Sequence, residues 1–120
     1  MILVDTSVWV DHLRVGNEAL AELLDRAEVL AHPWVIGELA LTGVKRESLA
    51  LLMDLPQAEL ATEDEVRDLI SEQRLSEAGI GKVDTQLLTV ARHASACTLW
   101  TDDSRLAPLA EQLGVGFRPQ

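Results

Sequence analysis

Three consecutive apolar residues, Ile2, Leu3 and Val4, run straight into an acid, Asp5, and nothing else in the chain constrains the fold so tightly. A strand with one wet face alternates apolar and polar residues. A run with no polar member belongs to a strand covered on both faces, the kind found in parallel sheets roofed by helices. A similar, mostly apolar run is "CTLW" (Cys97 to Trp100), and acids again follow, Asp102 and Asp103 after Thr101. "VLA" (Val29 to Ala31) is a third such run. Strand and helix patterns alternate throughout, with no repeat, low-complexity tract or linker. The expected architecture is one α/β domain over residues 1–120 with a mostly parallel sheet.

The helical segments carry their own punctuation. "VWVDHLR" opens a first short helix. Asn17 is placed to cap a second, whose Leu20, Leu23, Leu24 and Ala27 share a face. Pro33 stands at a helix start, before "WVIGELAL", and "ESLALLMDL" forms a further helix. Thr62 and Glu65 have capping-box spacing, so a helix should run from about Glu63 toward Leu75. "GIG" (Gly79 to Gly81) breaks the chain before "VDTQLLTVARHA". Ser104 is expected to cap a last helix with the stripe Leu106, Leu109, Ala110 and Leu113, ended by Gly114. "QAEL" (Gln57 to Leu60) and "VGF" (Val115 to Phe117) are expected as short strands, and His32 as a turn residue.

Twenty Asp and Glu against ten Lys and Arg give a formal net charge of −10. That balance weighs against a nucleic-acid surface, which is usually basic. It suits a carboxylate site that waits for cations, or a basic protein partner. Eight of the ten cations are Arg, whose paired N–H groups clamp phosphate well. A single cysteine, Cys97, allows no internal disulfide, and no apolar stretch approaches the roughly 20 residues of a membrane helix. The acid near the N-terminus is unlike a signal peptide, and a cytoplasmic protein is expected.

Most acids read as solvated helix faces or first-turn residues, favoured there by the helix dipole. Four do not. Asp5 and Asp103 follow buried strands at their carboxyl ends, where open parallel sheets place ligands. Glu38 sits among Trp34, Val35, Leu41 and Thr42 on one helix face, and Asp84 shares a face with Leu87, Leu88 and Ala91. Singly, each admits a structural role: Asp5 bonding loop amides, Asp103 starting a helix, Asp84 capping one. Together they cannot all ionise side by side without a cation. Oxygen ligands with no clustered His or Cys point to Mg²⁺ or Mn²⁺, and such sites serve phosphoryl transfer.

Other chemistries find less support. No His lies near Ser7, Ser104 or Thr101 in sequence, so a hydrolytic triad is unsupported though three histidines leave one open, and "GIG" lacks the residues of a phosphate loop. An acid-cluster phosphatase with an Asp nucleophile wants a second Asp two residues after the first, where Ser7 stands. A receiver domain wants its acid pair early, whereas here the pair is late.

The segments "ILVDTSVWVDHLR", "HPWVIGELAL" followed by "GVKRE", "GIGKVDTQLL" and "LWTDDSRLAPLAEQLGV" resemble, in order and spacing, those of PIN-domain proteins. More narrowly they resemble VapC-type toxins of type II toxin–antitoxin pairs. The resemblance covers essentially the whole chain. It implies a small parallel sheet flanked by helices on both sides, and an acid cluster that binds Mg²⁺ or Mn²⁺ and cuts RNA of the translation machinery (tRNA or rRNA). Carried over by position, the acids are Asp5, Glu38, Asp84 and Asp103, with Asp102 a weaker candidate where relatives often carry a basic residue. Thr6, Ser7 and Thr101 have hydroxyls placed to orient acids or water, or to stabilise turns. Arg14, Lys45, Arg46, Lys82 and Arg105 are candidates for phosphate contact; Lys82 stands where relatives often have an apolar or aromatic residue. The implied partners are a cognate antitoxin and an RNA substrate, with a homodimer inside the toxin–antitoxin complex and no membrane. Trp9 or Trp34 is a candidate interface aromatic, and both suit the core equally well. A catalytically inactive PIN-like binding module is the alternative.

Overall fold

A computed structural model describes residues 1–119. Its centre is strand β1 (Ile2–Val4), whose neighbours are β2 (Val29–Leu30) on one side and β3 (Thr98–Trp100) on the other, all parallel. Register pairs Leu3 with Leu30 and with Leu99, so the apolar runs lie side by side. Leu3 and Val4 are fully buried, as a strand covered on both faces requires.

The chain moves outward from β1 through helices α1 (Thr6–Val15) and α2 (Glu18–Asp25) to β2. It continues through α3 (Pro33–Leu41) and α4 (Arg46–Met53) to a single parallel bridge between Ala31 and Gln57. It then crosses back through α5 (Glu63–Gln73) and α6 (Lys82–His93) to β3. After α7 (Leu106–Gln112) it makes one more parallel bridge, Leu99 to Gly116. Right-handed crossovers running in opposite directions put their helices on opposite faces of the sheet. The helix contacts agree: α1 packs on α3 and α3 on α4, while α5 packs on α6.

Local signals explain most boundaries. Asn17 accepts from the Leu20 N–H and caps α2; Thr62 and Glu65 complete the capping box that starts α5. Four expectations are corrected. Gln57 to Leu60 and Val115 to Phe117 contribute one bridge each rather than strands, because each meets its neighbour at a single register position. Ser104 does not cap α7; the Asp103 carboxylate does, accepting from Arg105 N–H (2.8 Å) and Leu106 N–H (3.0 Å). His32 is more than a turn residue, being fully buried with Nδ1 accepting from Trp34 N–H to cap α3. Of the two places read for Trp9, interface and core, it takes the core; on α3, Leu41 is exposed while Val35 and Leu39 are buried.

Candidate active site

The carboxyl ends of β1 and β3 lie together because the two strands pair in register through Val4 and Trp100. The residues just beyond, Asp5 and Thr101, therefore meet across the sheet despite 96 positions of separation. Asp5 is 4 % exposed and fully engaged. One carboxylate oxygen accepts from Thr6 N–H at 2.7 Å, capping α1; the other accepts from the hydroxyls of Thr101 (2.7 Å) and Ser7 (3.1 Å). Each hydroxyl also holds the next turn, Thr101 Oγ1 accepting from Asp103 N–H and Ser7 Oγ from Asp102 N–H, both at 3.1 Å. The two roles read for these hydroxyls, orienting an acid and stabilising a turn, are thus performed by the same atoms.

Glu38 and Asp84 approach from helices. Thr6 donates its hydroxyl to Glu38 Oε1, tying α3 to the start of α1. Asp84 sits in the first turn of α6 and reaches back to Gly81 N–H at 3.4 Å, a long bond. Its carboxyl is held above the usual range, first by burial and then by the charge of Asp5. Gly81 N–H opposes the shift, while Asp103 and Glu38 add to it. A carboxyl that feels three others marks their convergence, and such a group calls for positive charge. Yet among the described residues no three acids, His or Cys stand close enough together to hold an ion as they are. The cluster is convergent but open.

Of the candidate cations, Arg105 is tied to the cluster's frame. Its guanidinium donates to Gly79 O at 3.0 Å, from the residue two beyond Asp103 to the turn before Asp84. Gly79 takes φ +74°, a conformation that disfavours a β-carbon, and the Arg105 side chain lies 3.6 Å from where one would be. Lys82 lies over the Trp34 ring. Arg14 and Lys45 line another cavity of about 350 Å³ with Val10, Leu13 and Val44. Arg14 is in the last turn of α1, which puts it about 13 Å along the helix axis from Asp5. Arg46 is exposed at the start of α4, and Asp102 is exposed and absent from the charges acting on Asp84.

A family model described as "PIN domain" matches residues 2–112. The chain belongs to the PIN-domain family. Within it, the chain is a VapC-type member: it is 44 % identical over 119 residues to Ribonuclease VapC32 of Mycobacterium tuberculosis strain CDC 1551 / Oshkosh. That match covers 98 % of this chain and 96 % of the relative, and Ribonuclease VapC32 of strain ATCC 25618 / H37Rv gives the same figures. In this PIN domain the sequence reading missed two buried polar side chains. Gln86 clasps the Ala61 backbone from both ends of its amide, accepting at 2.6 Å and donating at 3.3 Å. A signal existed, since Gln86 shares the helix face of Val83 and Val90. His32 carried no such signal: the residue before a proline reads as a turn, yet it is fully buried. Burial pushes its imidazole below the usual range, opposed by the nearby Gln86.

Proposed function

We propose that this protein is a metal-dependent endoribonuclease, the toxin of a type II toxin–antitoxin pair, which hydrolyses phosphodiester bonds in tRNA or rRNA. The observation that carries the reading is the convergence of Asp5, Glu38, Asp84 and Asp103, expressed in the raised proton affinity of Asp84. The close likeness to a protein named as a ribonuclease supports it. The four carboxylates are the residues that would hold Mg²⁺ or Mn²⁺, as an all-oxygen donor set suits a hard cation, and Asp102 is a weaker outer candidate. Such an ion, when bound, supplies activation of water and neutralisation of phosphate charge.

The chain's own contribution is positioning. Asp5 is orientated by Thr6 N–H and by the Ser7 and Thr101 hydroxyls; Glu38 is orientated by the Thr6 hydroxyl. Asp103 is fixed by the amides that open α7. Two of the acids are thus presented from strand ends and two from helices. The −10 net charge favours a neutralising antitoxin that brings basic residues to the acids. We place the protein in the cytoplasm, with a homodimer inside the neutralised toxin–antitoxin complex.

The test is incubation of total bacterial RNA with antitoxin-free protein in Mg²⁺ or Mn²⁺, with EDTA and Asp5→Asn as controls and end-mapping of products. Discrete cuts lost in both controls support the nuclease. One observation favours the second reading, a PIN-like module that only binds protein: no three acids among the described residues are grouped for an ion. Folded protein that leaves tRNA and rRNA intact under all metal conditions would decide for it.

A further inference from the structure

Trp34 differs from the other two tryptophans. Trp9 and Trp100 are buried in the core. Trp34 is half-buried and is not among the side chains packed against that core. It lines a cavity of about 540 Å³ with Leu60, Glu63, Val66, Arg67, Lys82 and Gln86. The Lys82 ammonium stands 5.4 Å from the centre of the Trp34 ring. Arg67 is already paired with Glu63 and Asp64, whereas Lys82 makes no ion pair among the described residues. An aromatic face and an uncompensated cation, together in a chain of net charge −10, make a local site for an anion with a flat apolar part.

Its position gives the site meaning. Trp34 and Glu38 are four apart on α3, so their β-carbons lie about 5–6 Å apart on one helix face, and the cavity that Trp34 lines with Lys82 opens one turn from that acid.

We propose that this cavity receives a base of single-stranded RNA, from a nucleotide neighbouring the phosphate that lies at the acids. The proposal rests on the nuclease reading. The indole supplies a stacking platform, Leu60 and Val66 the apolar surround, and Lys82 the charge for the adjoining phosphate. A basic peptide in the same place would meet Lys82 as a like charge, which favours RNA as the occupant. Both ends of the Gln86 amide are held by Ala61, so the cavity has no unengaged amide there to read a base edge. Selection then follows stacking strength, purines above pyrimidines, not hydrogen-bond readout.

The experiment titrates Asp5→Asn protein, which binds without cutting, with a fluorescent hexaribonucleotide and with the same hexamer made abasic at single positions. Intact RNA should quench tryptophan emission, and at least one abasic position should abolish the quenching. Trp34→Leu, with its fold checked by circular dichroism, should lose the quenching and bind about tenfold more weakly, while Trp34→Phe stays within about threefold. Lys82→Met should reduce the salt dependence by about one counterion. The proposal is overturned if Trp34→Leu binds as the parent does, if no abasic position matters, or if a basic peptide quenches Trp34 and RNA does not. Cleavage separates this from the parent reading. Trp34→Leu in the otherwise wild-type chain that cuts the same sites with unchanged KM refutes the base site and leaves the nuclease standing. Absence of cleavage by the wild type refutes the nuclease, whatever the binding shows.

Discussion

The two halves of the acid cluster are held in opposite ways. Asp5 and Asp103 follow strand ends, and every contact they make also holds a turn or starts a helix. Glu38 and Asp84 ride on helices, are more exposed than Asp5, and Asp84 has only one long bond to Gly81. One half is part of what stabilises the fold. The other is kept near like charges because the helices that carry it pack elsewhere, and it gains most from an incoming cation.

The comparison breaks most readily at the acids themselves. Asp5→Ala and Asp84→Asn should each lower RNA cleavage by at least about a thousandfold, but their stabilities should part. Losing Asp5 removes a helix cap and leaves the Ser7 and Thr101 hydroxyl protons without their acceptor, at a cost of about 2 kcal/mol. For Asp84 the sign reverses. Its folded form binds a proton more readily than the unfolded chain, so its stabilising contribution is present at low pH and is lost as pH rises through the raised value. Asp84→Asn should therefore raise the melting temperature of the metal-free protein at neutral pH. Thermal melts in EDTA decide this, and a shift of the same sign in both variants would erase the distinction between the halves.

Thr101→Val tests whether the rigid half owes its geometry to one hydroxyl. Cleavage should fall about 10- to 100-fold with weaker Mn²⁺ activation, and Thr101→Ser should restore it. Arg105→Ala cuts the link between the halves, so we expect a smaller loss, under about tenfold, read as a higher Mn²⁺ requirement at unchanged thermal stability within about 0.5 kcal/mol. pH adds a quieter test. His32 is buried with its imidazole held neutral, so stability should fall as pH drops through the ordinary histidine range, the reverse of the Asp84 trend. Melts of His32→Gln beside wild type would show a flatter slope over that window. Arg14→Ala, remote from both halves, should change cleavage less than about twofold.

What the sequence disclosed follows from the range of the forces involved. Capping of α2 by Asn17 and of α5 by Thr62 with Glu65 is settled within three residues, and both were legible. The four acids were legible because charge is misplaced on an apolar face or at a buried strand's end. What they touch was not. The Thr101 bond to Asp5, the clasp of Gln86 on Ala61 and the grip of Arg105 on Gly79 each join distant segments. Nothing local distinguishes that Arg105 from any surface arginine. Asp103 took the capping role expected of Ser104 because a carboxylate accepts two amides at once, a choice that spacing alone leaves open.

The strand order has a consequence in time. β1 is made first and lies in the middle, with β2 drawn from residues 29–30 and β3 only from residues 98–100. A chain emerging from the ribosome can pair one edge of β1 early, but the other edge waits for the segment at residues 98–100. Asp5 likewise waits for Thr101. The rigid half of the acid cluster is therefore completed only once Thr101 has been made, and a chain terminated before it carries Asp5 without the partner that orientates it.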